Sequence, residues 1–468
     1  MTKRGLGSVG ILLGILLLPA TASAQTVSYG QPEYLKDRRY AEGAGIRTGD
    51  LELHPGVAGD VGYDSNWFLR SSGNAFVNSA PSAPVLAAGV LRVTPSLSLS
   101  TLGPQRREGD APDNEPSVKF RAGISGTYRE FLVGDDLIKK QRNVSVGADM
   151  RVDILPGRPW GAGVFATYTR FIQPTVIGDP NLSFNRDDVG GGLEVIATPG
   201  GGTLDWRFGY QVRASLYEDG GGQPFNNITH EAMTKGRWKF RPRTAILYDA
   251  TLRFINYTDP NVPNGLQNST PVRARVGLNG LITPRFSLLA MAGYGASFYS
   301  NSKVSTPQYD SVIGQVEAKW FVSANPGTDA PANVSLTLSS IALGYTRDFQ
   351  NSLLGNYYGS DRGYAKMSFF FAQRVLLSLE GGVGAVEYPT VSLSGVAAPH
   401  APFTDIRADG TLYAEYRLSD SFALNATGRY TQNFSNAQLT TAGAAGTTGL
   451  YDMSWQRLEA YLGVRWFM

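Results

Sequence analysis

The chain contains no cysteine. It therefore has no disulfide, no thiolate nucleophile or metal ligand, and no cysteine to carry a lipid anchor. Histidine is nearly absent too. His54, His230 and His400 are the three present, far apart in sequence, and no serine near them forms a nucleophile arrangement. Clustered His or Cys for a metal site is missing. Catalysis and bound cofactors are not expected. Charge of one sign is not in excess: Lys+Arg number 42, including Lys3 and Arg4 of the leader described below, against 39 Asp+Glu. That balance argues against a nucleic-acid partner. After residue 24 no apolar run approaches the ~18–20 residues of a spanning helix.

What is present points elsewhere. Lys3 and Arg4, the apolar run Ile11 to Leu18 and the small-residue site Ala22-Ser23-Ala24 read as a cleavable secretory signal over residues 1–24. Residues 25–48 are polar, with Lys36-Asp37-Arg38-Arg39, and read as a loosely ordered periplasmic arm. The remainder, 49–468, carries a period of two almost throughout. Leu51, Leu53, Pro55, Val57, Gly59, Val61 and Tyr63 share one parity. Val118-Phe120-Ala122-Ile124, Val144-Val146-Ala148-Met150, Leu204-Trp206-Phe208-Tyr210 and Val272-Ala274-Val276-Leu278 repeat it. About 18 such segments (16–20) are expected, each near the ~9–11 residues that cross an outer membrane when tilted.

The connectors alternate as well. Those at 156–159, 199–202, 241–243, 283–285, 372–374 and 419–421 are tight. Those near 69–86, 132–142, 172–186, 217–226, 258–270, 299–309, 348–362, 389–402 and 435–450 are long and polar. Two on the short side, near 103–116 and 323–333, are longer than the rule. Glycine is abundant, at 55 residues, and runs such as Gly381-Gly382-Val383-Gly384 fall inside strands, where they permit bending or close packing. An open sheet edge is not tolerated in lipid. The expected fold is therefore all-β: a transmembrane, antiparallel, up-and-down barrel with short periplasmic turns and long extracellular loops.

The final strand closes it. Leu458, Leu462, Val464 and Trp466 lie on the apolar parity, and Phe467 precedes the terminal Met468. This ending resembles the closing strand of bacterial outer-membrane barrels, which the barrel-assembly machinery reads, although there the aromatic is usually last. At the other end, G-I-R-T-G-D-L-E-L-H-P-G-V leads into Tyr63-Asp64-Ser65-Asn66-Trp67-Phe68. With Asn185-Arg186-Asp187 and the Arg241-Pro242-Arg243 turn, this resembles the β-barrel porin 2 family over about residues 42–468. The family motif falls on Tyr63, Asp64 and Asn66. The resemblance implies an integral outer-membrane barrel, similar in some members to barrels that accompany exopolysaccharide export; it assigns no substrate.

The polar parity gives the candidate pore lining: Lys119, Arg121, Asp149, Arg151, Arg207, Arg213, Arg237, Lys239, Arg273, Arg275, Lys319, Arg407, Tyr413, Arg457, Tyr461 and Arg465. Basic groups exceed acidic ones on this face. Either they select neutral or anionic solutes, or they pair across strands and stiffen the wall. Tyr413 and Tyr461 are candidate sugar-stacking rings. Trp160, Tyr168, Trp238, Trp320 and Trp466 share the lipid-facing parity and read as girdle residues. Asp64, Asp310 and Asp452, near loops, read as solvated carboxylates, with calcium binding as the alternative. The expected function is a passive conduit in the bacterial outer membrane for export of a secreted polysaccharide, with lipid and a periplasmic export or co-polymerase protein as partners. The alternatives are a general diffusion porin or a loop-mediated binding barrel.

Overall fold

The computed structural model describes residues 45–71, 85–101, 116–132, 135–172, 185–218, 222–259, 266–300, 308–322, 339–371, 374–392, 399–442 and 448–468. The expected signal, most of the expected arm, and the centres of the 103–116 and 323–333 connectors lie outside them. A three-residue strand, β1 (Ile46–Thr48), folds back on β2 (Leu51–Asp64). The chain continues through β3 (Ala88–Thr101), β4 (Val118–Phe131), β5 (Asn143–Ile154), β6 (Trp160–Phe171), β7 (Arg186–Ala197), β8 (Leu204–Tyr217) and β9 (Asn227–Arg241). Then come β10 (Thr244–Tyr257), β11 (Ser269–Thr283), β12 (Phe286–Tyr299), β13 (Tyr309–Phe321), β14 (Ser340–Ser352), β15 (Asn356–Phe371) and β16 (Val375–Tyr388). Last are β17 (Phe403–Ser419), β18 (Phe422–Phe434), a small hairpin β19 (Gln438–Ala442) and β20 (Thr448–Asp452), and β21 (Trp455–Phe467).

Apart from β1 and the small hairpin, every strand pairs antiparallel with its sequence neighbour, and β21 pairs with both β18 and β2. The result is a closed barrel of 18 strands. Closure satisfies the backbone groups that lipid cannot. The seam runs from Gly56↔Phe467 to Asp64↔Glu459. Met468 fastens its end: its amide donates to the Pro55 carbonyl at 3.1 Å, and its own carbonyl accepts from His54 Nδ1 at 2.8 Å.

Alternation decides which face meets lipid. On β21 the outward residues Leu458, Leu462 and Val464 are exposed, while the inward Arg457, Glu459 and Tyr461 are buried. Short turns mark the periplasmic end. Trp160, Trp238, Trp320 and Trp466 all point outward there, at the periplasmic ends of β6, β9, β13 and β21. The opposite rim is marked by tyrosine. Tyr128, Tyr168, Tyr294 and Tyr345 lie outward on ascending strands, and each hydroxyl donates to an acid one rung nearer the extracellular side: Glu130, Asp187, Asp310 and Asp361. Tyr210 reaches His230 and Tyr430 reaches Gln432 in the same way. An amphipathic ring at the edge of the apolar band keeps its body in lipid and its tip in water.

One connector differs from the reading of the sequence. The expected long loop at 348–362 is strand on both sides of a three-residue turn, 353–355, with Gly355 and Asn356 at positive φ. Its Asn-, Gly- and Tyr-rich composition looks like loop because this hairpin tip does not stand in the membrane wall. β13 pairs with β14 only as far as Gly314↔Arg347, and β15 pairs with β16 only from Gly359↔Glu387. The tip between those rungs turns into the lumen.

Candidate functional site: the lumen wall and its extracellular end

Most inward charges lie flat against the wall. Arg151 on β5 crosses β6 at Gly163 and reaches Glu194 on β7 at 2.7 Å. A methyl group at Gly163 would sit 2.8 Å from the Arg151 guanidinium. Arg362 on β15 crosses Gly382 on β16 and holds Asp409 on β17 through two hydrogen bonds, of 2.5 and 3.1 Å. Tyr364 crosses Gly344 on β14 to donate to Glu317 on β13 at 2.8 Å. In each case the glycine supplies a trough that lets a long side chain reach a partner two strands away. The bore then loses little width to the charges that line it.

Further pairs cover the same face. Asp205 takes Arg207 at 3.1 Å and Arg237 at 3.9 Å, while Asp249 takes Arg275 at 3.0 Å. Arg273 binds Asp348 at 3.0 Å, Lys319 binds Glu317 at 3.4 Å, and Arg253 binds Glu231. Asp149 lies on the inward parity of β5, opposite Gly123 and Thr167. Arg407 lies beside Asn433. Arg121, Arg213 and Lys239 form no ion pair within 4 Å among the described residues.

The seam is a separate, denser centre. Asp64 and Arg457 have side chains at 0 % exposure and form a two-point ion pair, one bond at 2.9 Å. Glu459 lies 3.6 Å from Arg457 and 3.9 Å from Arg429. Arg92 sits 3.4 Å from Asp60 and 3.5 Å above the Tyr461 ring. Trp67 turns inward from the end of β2 and lies between the guanidiniums of Arg457 and Arg129, at 5.3 and 5.2 Å from its ring. It packs with Phe68, Val90, Phe131, Ile138 and Ile172. Asn66 holds this turn: it exchanges two bonds with the Arg70 backbone, at 2.9 and 2.7 Å, and a third bond reaches the Gln456 carbonyl at 2.9 Å.

Four of the expected lining residues therefore do not line an open bore. Tyr413, Arg457, Tyr461 and Arg465 are on the inward parity but buried. Tyr413 packs on Ala58, and its hydroxyl donates to Glu415, which also binds Arg465 at 2.6 Å and Arg417 at 3.0 Å. Neither tyrosine offers a free face for a sugar. Asp64 is not solvated, since burial and Arg457 hold it; Asp310 accepts from Tyr294, and Asp452 accepts from Ser71 at 2.8 Å and Ser454 at 2.7 Å. Parity finds the inward face, but it does not register how deeply a later segment covers it. Among the described residues no group of three acidic or histidine side chains is arranged to hold a metal ion.

Among the described residues, the turn at 65–71, the β14–β15 tip and the Ala437, Leu439 and Met453 side chains of the β18–β21 connector pack inward at the extracellular end. Leu354 of the tip is fully buried with Val386, Tyr388, Val391, Ala437, Leu439 and Met453. Leu353 packs on the opposite side against Tyr217, Phe225, Leu266 and Tyr257.

No family model matches the chain, and no curated protein matches it. Solved structures align with most of the chain. OccAB4 of Acinetobacter baumannii aligns over 90% of this chain and 99% of its own, at 11% identity and a TM-score of 0.43. OprD of Pseudomonas aeruginosa aligns over 92% and 97%, at 10% identity and 0.43. A bacterial polysaccharide outer-membrane secretin aligns over 90% and 99%, at 10% identity and 0.33. What defines the architecture is the chain's own strand pairing, a closed antiparallel barrel of 18 strands.

Proposed function

We propose that this barrel is the passive outer-membrane conduit for export of a secreted polysaccharide. The observation that carries the reading is the pairing of a guanidinium-lined wall with an extracellular end folded inward on two apolar clusters. Guanidinium and carboxylate groups laid along a wall suit a hydroxylated or carboxylated polymer, which exchanges hydrogen bonds with them as it passes. A narrowed outer end suits a channel that stays shut until cargo arrives from inside. In this reading a periplasmic export or co-polymerase protein delivers the polymer, and the assembly machinery inserts the barrel through β21.

A general diffusion porin is the second reading, favoured by Arg121, Arg213 and Lys239, which form no ion pair among the described residues. Single-channel recording in a planar bilayer separates the two. A conduit for export is silent or opens rarely at rest, and an anionic polysaccharide blocks its openings. A large, steady conductance at rest would make the protein a porin.

A further inference from the structure

The β14–β15 tip sits in one seat, and its sequence fits a second. In the occupied seat the tip bridges the lumen. Phe349 lies on Gly295, where a methyl group would meet its ring at 2.7 Å. Its other contacts are the Tyr309 ring at 4.2 Å and the Arg273 guanidinium at 4.2 Å. Asn351 Nδ2 donates to Ser269 Oγ at 2.9 Å, and the Gln267 amide donates to Asn356 Oδ1 at 2.9 Å. Leu353 and Leu354 plant in apolar clusters on opposite sides of the mouth.

The second seat is the edge of β13 that this arrangement leaves open. Tyr309 to Ile313 all pair with β12, but none pairs with β14. The Arg347 side chain covers that edge instead, with Nε donating to the Val312 carbonyl at 3.2 Å and Nη2 donating to Ser311 Oγ at 3.3 Å. Extending the register past Gly314↔Arg347 places Asp348 opposite Ile313, Phe349 opposite Val312, Gln350 opposite Ser311 and Asn351 opposite Asp310. That register suits the membrane. Asp348 and Gln350 would face the lumen. Phe349 would join the outward row Leu343, Tyr345, and Asn351 would stand beside Asp310 at the tyrosine-marked rim. The sequence of the tip thus satisfies both the lumen seat and the wall.

We infer that the β14–β15 tip is a two-position lid, docked across the lumen in the closed barrel and zipped onto the free edge of β13 in the open one. The inference rests on the conduit reading for its consequence, but not for its motion. The hinge lies at the Arg347 and Gly359 rungs, where pairing to β13 and β16 begins.

The absence of cysteine gives a clean background for the test. In the full-length barrel, Asn351→Cys is combined either with Ser269→Cys, its present neighbour, or with Asp310→Cys, its partner in the wall. β11 and β13 are two strands apart, about 10 Å, and a disulfide needs Cα atoms within about 7 Å. One position of the tip cannot form both bonds. Cross-linking is read by mobility on a gel, and conductance by bilayer recording before and after reduction. The expected result is that both pairs cross-link. The Asp310 bond holds the channel open, with conductance at least tenfold above that of the Ser269-bonded barrel, and reduction removes the difference. The lid is overturned if the Asp310 pair never cross-links while the Ser269 pair does, or if both form and conductance is the same for each. If every variant cross-links as expected yet none conducts, the motion stands and the conduit reading fails.

Discussion

Removing the carboxylate of Asp64 is the sharpest test of how the barrel is closed. Asp64 and Arg457 join the first barrel strand to the last, and both side chains are at 0 % exposure. A buried pair contributes little relative to apolar residues of the same size, yet breaking it from one side leaves a charge uncompensated, at a cost of about 3–5 kcal/mol. Asp64→Ala leaves Arg457 with Glu459 at 3.6 Å, so the low end of that range, about 3 kcal/mol, is expected. The backbone amide of Asn66 also loses its bond to Asp64 Oδ1, at 3.1 Å, which loosens the turn that carries Trp67. Asp64→Leu with Arg457→Met removes both charges and should recover most of the loss, to within about 1 kcal/mol of the parent. The assay is reversible urea unfolding of the barrel in lipid vesicles, followed by tryptophan fluorescence, with heat-modifiable gel mobility as a check on folding. A loss below about 1 kcal/mol for Asp64→Ala, the size of an exposed pair, would refute the reasoning. So would a double variant as unstable as the single.

Gly382→Ala should push the Arg362 guanidinium off the wall, because a methyl group there falls 2.6 Å from it. Arg362 and Asp409 are about 30% exposed, so stability should fall by no more than about 1 kcal/mol. Anion preference should rise, measured as reversal potential in a salt gradient. Arg213→Glu should shift the same potential the other way with little change in unfolding. Tyr345→Phe should cost about 0.5–1.5 kcal/mol by removing the bond to Asp361 at the rim, again read by urea unfolding in vesicles. Leu354→Ala empties a fully buried position of the tip. It should destabilise the docked tip by about 2–5 kcal/mol, measured as faster protease cleavage near residue 354 with the barrel still folded.

The membrane wall was legible in the sequence because lipid and water impose a period of two on every strand that separates them. Strand number, the short turns and the outward Trp160, Trp238, Trp320 and Trp466 all follow from that one constraint. The interior lacks it. Gly163, Gly344 and Gly382 look alike in sequence, and only the register with the neighbouring strand shows that each seats a side chain bound for a third strand. Asp64 and Arg457 are nearly 400 residues apart and meet only because the barrel closes. Tyr413 and Tyr461 have the parity of lining residues, but what covers them comes from other strands and from Trp67. The β14–β15 tip is the limiting case. Its row Leu343, Tyr345, Phe349 carries the alternation of a wall strand, interrupted by Arg347, whose side chain stands over the β13 edge that the tip would otherwise occupy. The loop reading of 348–362 missed the strand on both sides of the turn because the segment fits two seats. The ambiguity in the sequence is then the physical property itself, since a tip committed to the wall would need no Asn351 for Ser269, and a tip committed to the lumen would need no row that matches Val312 and Asp310.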